Sequence, residues 1–330
     1  MHTRIAALAL SLSLTLIASG PAHAQGAAAE FAGKQVTLVV PYPAGGSVDF
    51  TARLLAQNLA QQWKNTVIVE NRAGAAAVIG TQHVARSKPD GRTILLATAG
   101  MSIQPAVYKD LPYDVFKDFM PVTQIVVSPS LLSVHPSIPG TTLPEVIRYL
   151  KANPRTPFGS QGLGSHAHLL MEILRAEAGL ELLHVPYRGS APATTALLSG
   201  ETKLHFDIML SMLPHVASGK ARAIAVTTPE RQKQLPNVQT MREAGYPAVE
   251  VSSWSGFFVP AGTPSALVNE IQRATRAVIA DPAVSARLVE AGYGLVGSTP
   301  DEFRAFFRQD VERFQKAAAN AKIDKTNPNQ

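Results

Sequence analysis

Four glycine-bearing corners hold most of the residues in this chain that could do chemistry. The first runs Tyr42-Pro43-Ala44-Gly45-Gly46-Ser47-Val48-Asp49, after an apolar stretch that stops at Pro41. The second is Ala99-Gly100-Met101-Ser102. The third is Gly159-Ser160-Gln161-Gly162-Leu163-Gly164-Ser165, which leads to His168, and the fourth is Tyr187-Arg188-Gly189-Ser190. Glycine lets a backbone come close to a ligand and adopt positive φ. A helix starting directly afterwards offers unpaired N–H groups and a partial positive charge of roughly half a unit. The chemistry of such corners is anion binding. The first corner has no Lys or Arg, and the nearest cation is Arg53 inside the following helix. An anion held there is held by neutral dipoles. Tight packing alone is the competing reading for any single corner, but repetition along the chain favours binding.

Enzymatic readings fare worse. Asp49 reads as an early-helix residue that complements the dipole rather than as an acid catalyst. Asp207 ends an apolar strand and stays open between a capping role and a cleft role. Gly162 to Ala167 fits a loose GxGxxA pattern. A dinucleotide site also wants an acidic residue at the end of the next strand, and His184 to Arg188 contains none. His168 and Glu172 share a helix face and suggest a metal. His166 points elsewhere and no third ligand has a motif spacing, so a polar cluster at a helix start is preferred. There is no GxSxG elbow, and the absence of cysteine excludes thiol catalysis. Ser165 and its neighbouring histidines do not make a triad, because neighbours on one helix rarely face each other. No catalytic residue, metal or cofactor is expected.

The elements that must position these corners alternate from the start. Gln35 to Pro41 reads as a buried strand, and Val48 to Trp63 as a helix with Leu55, Leu59 and Trp63 on one face. A strand at 67–70, a helix at 75–87 and a strand at 93–98 follow. This β-α-β-α-β order implies a parallel sheet covered by helices. Short strands at 122–127 and 131–134 lead to a helix at 143–151, entered through Thr142 with Pro144 at its start. A second alternating series then has strands at 156–159, 182–186, 204–207 and 223–227. Its helices lie at 165–178, 191–199 and 212–218. The last segment gives one strand at 249–259 and three helices, the final one striped by Phe303, Phe307, Val311 and Phe314 as a packing face. One strand makes no sheet, so this segment is expected back in the first sheet. The fold class expected is α/β, with two doubly wound domains joined by two crossovers and a ligand cleft between them. Domain 1 takes 25–122 and 250–330, and domain 2 takes 123–249.

The first residues look like a secretory leader. Arg4 supplies the positive start, Ile5 to Ala18 is apolar but too short to span a bilayer, and Ala22-His23-Ala24 suits cleavage after Ala24. Periplasmic location is expected, with a core that needs no disulfide. The formal charge of +6 is scattered, without a basic run interleaved with aromatics, which argues against nucleic acid.

PYPAGGSVD, VIVENRAGA, VIGTQHVARSKPDGRTILLAT, GSQGLGSHAHL, HVPYRGSAPA and WSGFFVPAGTP occur in order across nearly the whole mature chain. As an ordered set they resemble the Bug-type periplasmic solute receptors of tripartite tricarboxylate transporters. The resemblance implies two α/β domains that close on a small organic carboxylate and deliver it to a two-subunit membrane permease. It implies no catalysis and no cofactor. It assigns the grip to Pro43, Ala44, Gly45, Gly46 and Asp49, and to Ser160, Gln161, Gly162, Gly164, Ser165 and His168. Tyr42 stands where Phe is common. Ala75-Ala76-Ala77-Val78 departs from a usual Gly-rich stretch ending in Asn. Tyr187 and Asp207 match motif positions.

The expected function is therefore a monomeric solute receptor for a mono- or dicarboxylate, possibly aromatic or an amino acid, closing by a hinge. Its expected ligand-binding residues also include Ser47, Gly100 and Met101. The alternative is an exported α/β enzyme such as a hydrolase, using His168 with Asp207 or Asp49 on a small anionic substrate. A receptor feeding a sensor is a third possibility.

Overall fold

The structure is a computed structural model that describes residues 33–187, 189–320 and 322–327. The expected leader at 1–24 and Arg188 of the fourth corner lie outside the described residues. The apolar run at the start forms β1 (Val36–Val40). It is followed by α1 (Ser47–Trp63), whose Leu55, Leu59 and Trp63 are all buried. Next come β2 (Val67–Asn71), α2 (Val78–Ala85), β3 (Thr93–Thr98) and α3 (Gly100–Val107). The second corner opens this eight-residue helix. The chain then runs through β4 (Phe119–Ser128), turns at Pro129 and enters β5 (Ser130–Val134).

A second α/β series follows. Helix α4 (Leu143–Ala152) starts from a capping box in which Thr142 and Glu145 satisfy each other's backbone N–H groups. After it come β6 (Thr156–Ser160), α5 (His166–Ala178), β7 (Leu182–Pro186) and α6 (Ser190–Ser199). These lead to β8 (Leu204–Ile208), α7 (Met209–Ala217), β9 (Arg222–Val226) and the short β10 (Gln239–Thr240). The chain returns through β11 (Ser253–Pro260), α8 (Ser265–Ala280), α9 (Pro282–Glu290), β12 (Gly294–Leu295) and α10 (Pro300–Asn320).

Two six-stranded sheets result, ordered β12-β4-β11-β3-β1-β2 and β10-β9-β5-β8-β6-β7. They share one plan. Three parallel strands are followed by an antiparallel strand that arrives from the other sheet, β11 in the first and β5 in the second. The last segment returns to the first sheet as expected, and β12 adds a second strand to it. Residues 123–128, expected in the second unit, pair instead with β11 in the first sheet. The switch falls one step later, at Pro129, which has no N–H to give a ladder.

Two helices belong to both sheets. In α10, Phe303, Phe307 and Val311 pack in a core of the first sheet, and Phe314, Ala317 and Ala318 pack in a core of the second. In α3, Met101 faces the first core and Ile103, Ala106 and Val107 the second. No helix among the described residues is long and apolar enough to cross a membrane.

Candidate functional site

Strands β1, β3, β6 and β8 direct their carboxyl ends toward a cavity of about 400 Å³ between the two sheets. Four helices also begin at its wall. Ser47 and Val48 open α1, Gly100 opens α3, Ser165 and His166 open α5, and Ile208 precedes α7. Each contributes about half a positive charge at its start. Among the described residues no Asp, Glu, Lys or Arg lines the cavity. Its floor is made by hydroxyls on the strands that connect the sheets. Ser253 lies opposite Ser128, and Ser255 lies opposite Thr98.

The first corner is folded by its own carboxylate. Asp49 Oδ2 accepts from the Gly45 N–H and from Arg53 Nε, both at 2.9 Å. Asp49 Oδ1 accepts from Asn71 Nδ2 at 3.0 Å, and the same amide reaches the Tyr42 carbonyl at 3.2 Å. The Arg53 hydrogen bond, joined by those from Gly45 and Asn71, outweighs burial and holds the Asp49 carboxyl down at about 2. Gly45 takes φ 85°, which a side chain would strain, so the loop can curl back onto Asp49. Tyr42 Oη lies 2.6 Å from Thr98 Oγ1, which also accepts from the Gly100 N–H at 3.2 Å. These bonds tie the first corner to the second. Burial pushes the Tyr42 phenol up, so it stays protonated.

The third corner is built around histidines. Ser160 Oγ donates to the Gly162 carbonyl, accepts from the Gly162 N–H and sits 2.6 Å from His184 Nε2. The Gly164 N–H donates to His168 Nδ1 at 3.0 Å, so the His168 proton sits on Nε2, facing Glu172 Oε1 at 3.7 Å. The His168 ring stacks on His184 at 3.8 Å. Burial, reinforced by His184 and Arg175, holds His168 down at about 3, and the ring is neutral. Gly164 takes φ 69° against the side chain of Val107, which brings this loop onto the end of α3.

Asp207 joins the third and fourth corners. It accepts from Gln161 Nε2 at 3.0 Å, from the Ile208 N–H at 2.8 Å, from Thr194 at 3.3 Å and from Ser190 Oγ. His205 Nε2 lies 3.2 Å away, and its Nδ1 faces the Gly159 carbonyl at 3.0 Å. Burial pushes Asp207 up, but these hydrogen bonds, led by His205, bring it below the usual range.

Of the expected site residues, Tyr42, Ser47, Gly100, Gln161, Gly164 and Ser165 line the cavity. Pro43, Ala44, Gly45 and Gly46 shape the first loop without lining it. Asp49, Ser160, Gly162, His168 and Asp207 face the scaffold through the bonds just described. Met101 is buried in the first sheet's core. Tyr187 donates to Glu201 Oε1 at 2.9 Å, and burial with that carboxylate pushes its phenol up to about 12. The sequence missed the strand hydroxyls Thr98, Ser128, Ser253 and Ser255, the α3 end at Gln104 and Tyr108, and His166. Ser and Thr at strand ends give no distinctive pattern. The one available signal was that both crossings end or begin in serine. Among the described residues no group of three His, Cys, Asp or Glu could hold a metal. His168 and Asp207, paired in the enzyme alternative, bond to Gly164 and His205 respectively and not to each other.

Comparison with known proteins gives one family. A model described as tripartite tricarboxylate transporter family receptor matches residues 51–322. Among solved structures the chain is similar to the periplasmic binding protein BugD, at 34% identity and TM-score 0.74 over 88% of this chain and 99% of that one. It is similar to R. palustris Rpa4515 with adipate, at 34% identity and TM-score 0.77 over 88% and 98% of the two chains. It is also similar to MatC from Rhodopseudomonas palustris with bound malate, at 27% identity and TM-score 0.73 over 87% and 99%.

Proposed function

Given that the chain belongs to the tripartite tricarboxylate transporter receptor family, we propose that it captures a small organic carboxylate in the periplasm and hands it to a two-subunit membrane permease. The observation that carries this reading is the cavity itself. Four helix starts surround it, hydroxyls floor it and, among the described residues, no ionised side chain lines it. Such a site favours an anion through dipoles. The adipate and malate held by two similar proteins support a mono- or dicarboxylate.

Residues 33–128 with 253–327 form one lobe in this reading, and 130–251 form the other. Starts of α1 and α3 come from the first lobe, and those of α5 and α7 from the second. A ligand that touches both sets binds the closed arrangement better and shifts the population toward it. Tyr42, Ser47, Gly100, Gln161, Gly164 and Ser165, with Thr98, Ser128, Ser253 and Ser255, are the contacts assigned. Periplasmic location is supported by the leader-like first 24 residues. We take the chain to be a receptor and not an enzyme, because His168 and Asp207 are committed to holding loops.

A thermal-shift panel of aliphatic, aromatic and amino-acid carboxylates tests this. A ligand at about 100 times its Kd stabilises by about 2.7 kcal/mol, which is several degrees of Tm. No shift with any of them sinks the carboxylate reading, and accumulation of a product restores the enzyme alternative.

A further inference from the structure

Helix α3 ends at the cavity, where Gln104, Val107 and Tyr108 form part of the wall. The helix is poorly equipped to hold that wall by itself. It has eight residues, and Pro105 inside it has no N–H to bond the Met101 carbonyl. Its last carbonyls have no partner within the helix and need one from elsewhere. The Tyr108 N–H takes the Gln104 carbonyl at 3.0 Å. Two more are taken by the segment that follows α10. Lys325 Nζ, 220 residues further along the chain, donates to the Pro105 carbonyl at 2.8 Å. The Thr326 N–H donates to the Val107 carbonyl at 2.9 Å, and the Lys109 N–H donates back to the Thr326 carbonyl at 3.0 Å. Tyr108 and Thr326 thus pair as a parallel bridge outside both sheets. Ile323 and Tyr108 pack against the same core, that of the second sheet. The Lys325 ammonium also suits the negative end of a helix.

We propose that residues 323–326 are a positioning strap for the cavity, capping α3 so that Gln104, Val107 and Tyr108 stay where a ligand meets them. The inference rests on the receptor reading and adds positioning residues to it. Ile323, Lys325 and Thr326 are absent from the described cavity lining, so they act through α3. Their reach extends to the third corner. A Cβ on Gly164 would come within 2.8 Å of Val107 Cγ1, so that corner rests on the end of α3. A shift of this end moves the wall and the support of the α5 start together. Lys325 and Thr326 are exposed, and water takes up the groups freed when the strap lifts, so it adds little to the fold as a whole. What it changes is the freedom of the wall. A wall fixed beforehand spares the ligand the cost of ordering it, and the loss of that order shows mainly as faster release.

The test uses the chain from Gln25 onward. Thr326→Pro deletes the N–H given to Val107, and Lys325→Ala deletes the ammonium given to Pro105. In the ligand-free double variant, amide exchange read by mass spectrometry should speed up about tenfold across residues 104–109 and stay unchanged in β1, β3 and β6. The melting temperature should fall by no more than about 2 °C. By titration calorimetry and stopped flow, adipate or malate, whichever wild type binds, should bind each single variant about fivefold more weakly, mostly through faster release. Thr326→Ala keeps the N–H and should keep the exchange and affinity that Thr326→Pro loses. Faster exchange at 104–109 with unchanged affinity overturns the proposal, and so does unchanged exchange there. Faster exchange throughout both sheets, with melting several degrees lower, also overturns it, since the segment then serves the fold alone. If neither acid binds wild type, the carboxylate panel judges the receptor reading, and exchange at 104–109 by itself decides whether the strap holds the wall.

Discussion

Replacing Ala76 with glycine should stabilise this protein, against glycine's usual effect. Ala75, Ala76 and Ala77 take φ values of 46°, 48° and 76° in succession, after Gly74 at 133°. An L-residue in the left-handed region is disfavoured by roughly 1–2 kcal/mol, because its Cβ crowds the following carbonyl. Glycine escapes that crowding but loses about 0.5–1 kcal/mol more in backbone entropy on folding. The net gain is about 0.5–1 kcal/mol. Packing does not offset it, because Ala76 is exposed, at the cavity wall. The hydrogen bond from Gln104 Nε2 to the Ala76 carbonyl, at 3.1 Å, uses the backbone and survives the change. For a chain of this size the gain reads as about 1–3 °C in Tm. Ala56→Gly, in the buried middle of α1, supplies the control of opposite sign. Thermal melts of both variants without ligand decide the matter. If Ala76→Gly melts lower than wild type, as Ala56→Gly is expected to, the left-handed turn is not a strained element.

Two further changes test the loop assignments. Asp49 has a folded pKa of about 2, below its unfolded value, so its contribution is complete above pH ~4 and lost as pH falls toward 2. Asp49→Asn should cost about 1 kcal/mol at pH 7, the full shift being discounted because the Arg53 side chain is 56% exposed. The gap in urea midpoint from wild type should close between pH 4 and pH 2, and a gap that stays constant would contradict the clamp. Gly164→Ala would put a Cβ 2.8 Å from Val107 Cγ1 at φ 69°, which should cost about 2 kcal/mol or more. Val107→Ala should recover part of that loss in the double variant, and strict additivity of the two would refute the contact.

The alternation of strands and helices was legible because each element carries its own period. Leu55, Leu59 and Trp63 announce α1 without reference to anything distant, and the lone strand of the last segment required a sheet elsewhere. Boundaries were less legible. Nothing local tells Val126 and Val127 which sheet to join, since their partners on β11 lie more than 120 residues further along the chain. The site was legible as corners but not as contacts. Gly100 and Ser165 sit where helices start, and position alone turns them toward the cavity. Asp49, His168 and Asp207 have side chains that could serve either ligand or loop. Their choice depends on how Gly45, Gly164 and Gln161 fold back on them, which no spacing encodes. Ser128 and Ser253 meet only because two crossing strands pair, so their shared role exists in three dimensions alone.

The two lobes of the proposed reading handle their carboxylates in the same way, and this bears on how a cavity with no cation among its described lining residues can hold an anion. Asp49 in one lobe and Asp207 in the other lie beside the glycine corners, and neither lines the cavity. An unpaired carboxylate ~6 Å from a bound anion would oppose it by roughly 3 kcal/mol at an effective dielectric of ~20. That repulsion would cancel much of what several helix starts supply at up to about 1 kcal/mol each. Arg53 compensates Asp49, and donors from Ser190, Thr194, Gln161 and His205 compensate Asp207. Each carboxylate thereby fixes a corner's shape while its field is taken up within its own lobe. In the proposed reading the remaining attraction comes from dipoles that reach full strength only when both lobes meet. An anion held in this way would lose part of its grip as soon as the lobes separate, which suits the proposed delivery to a permease.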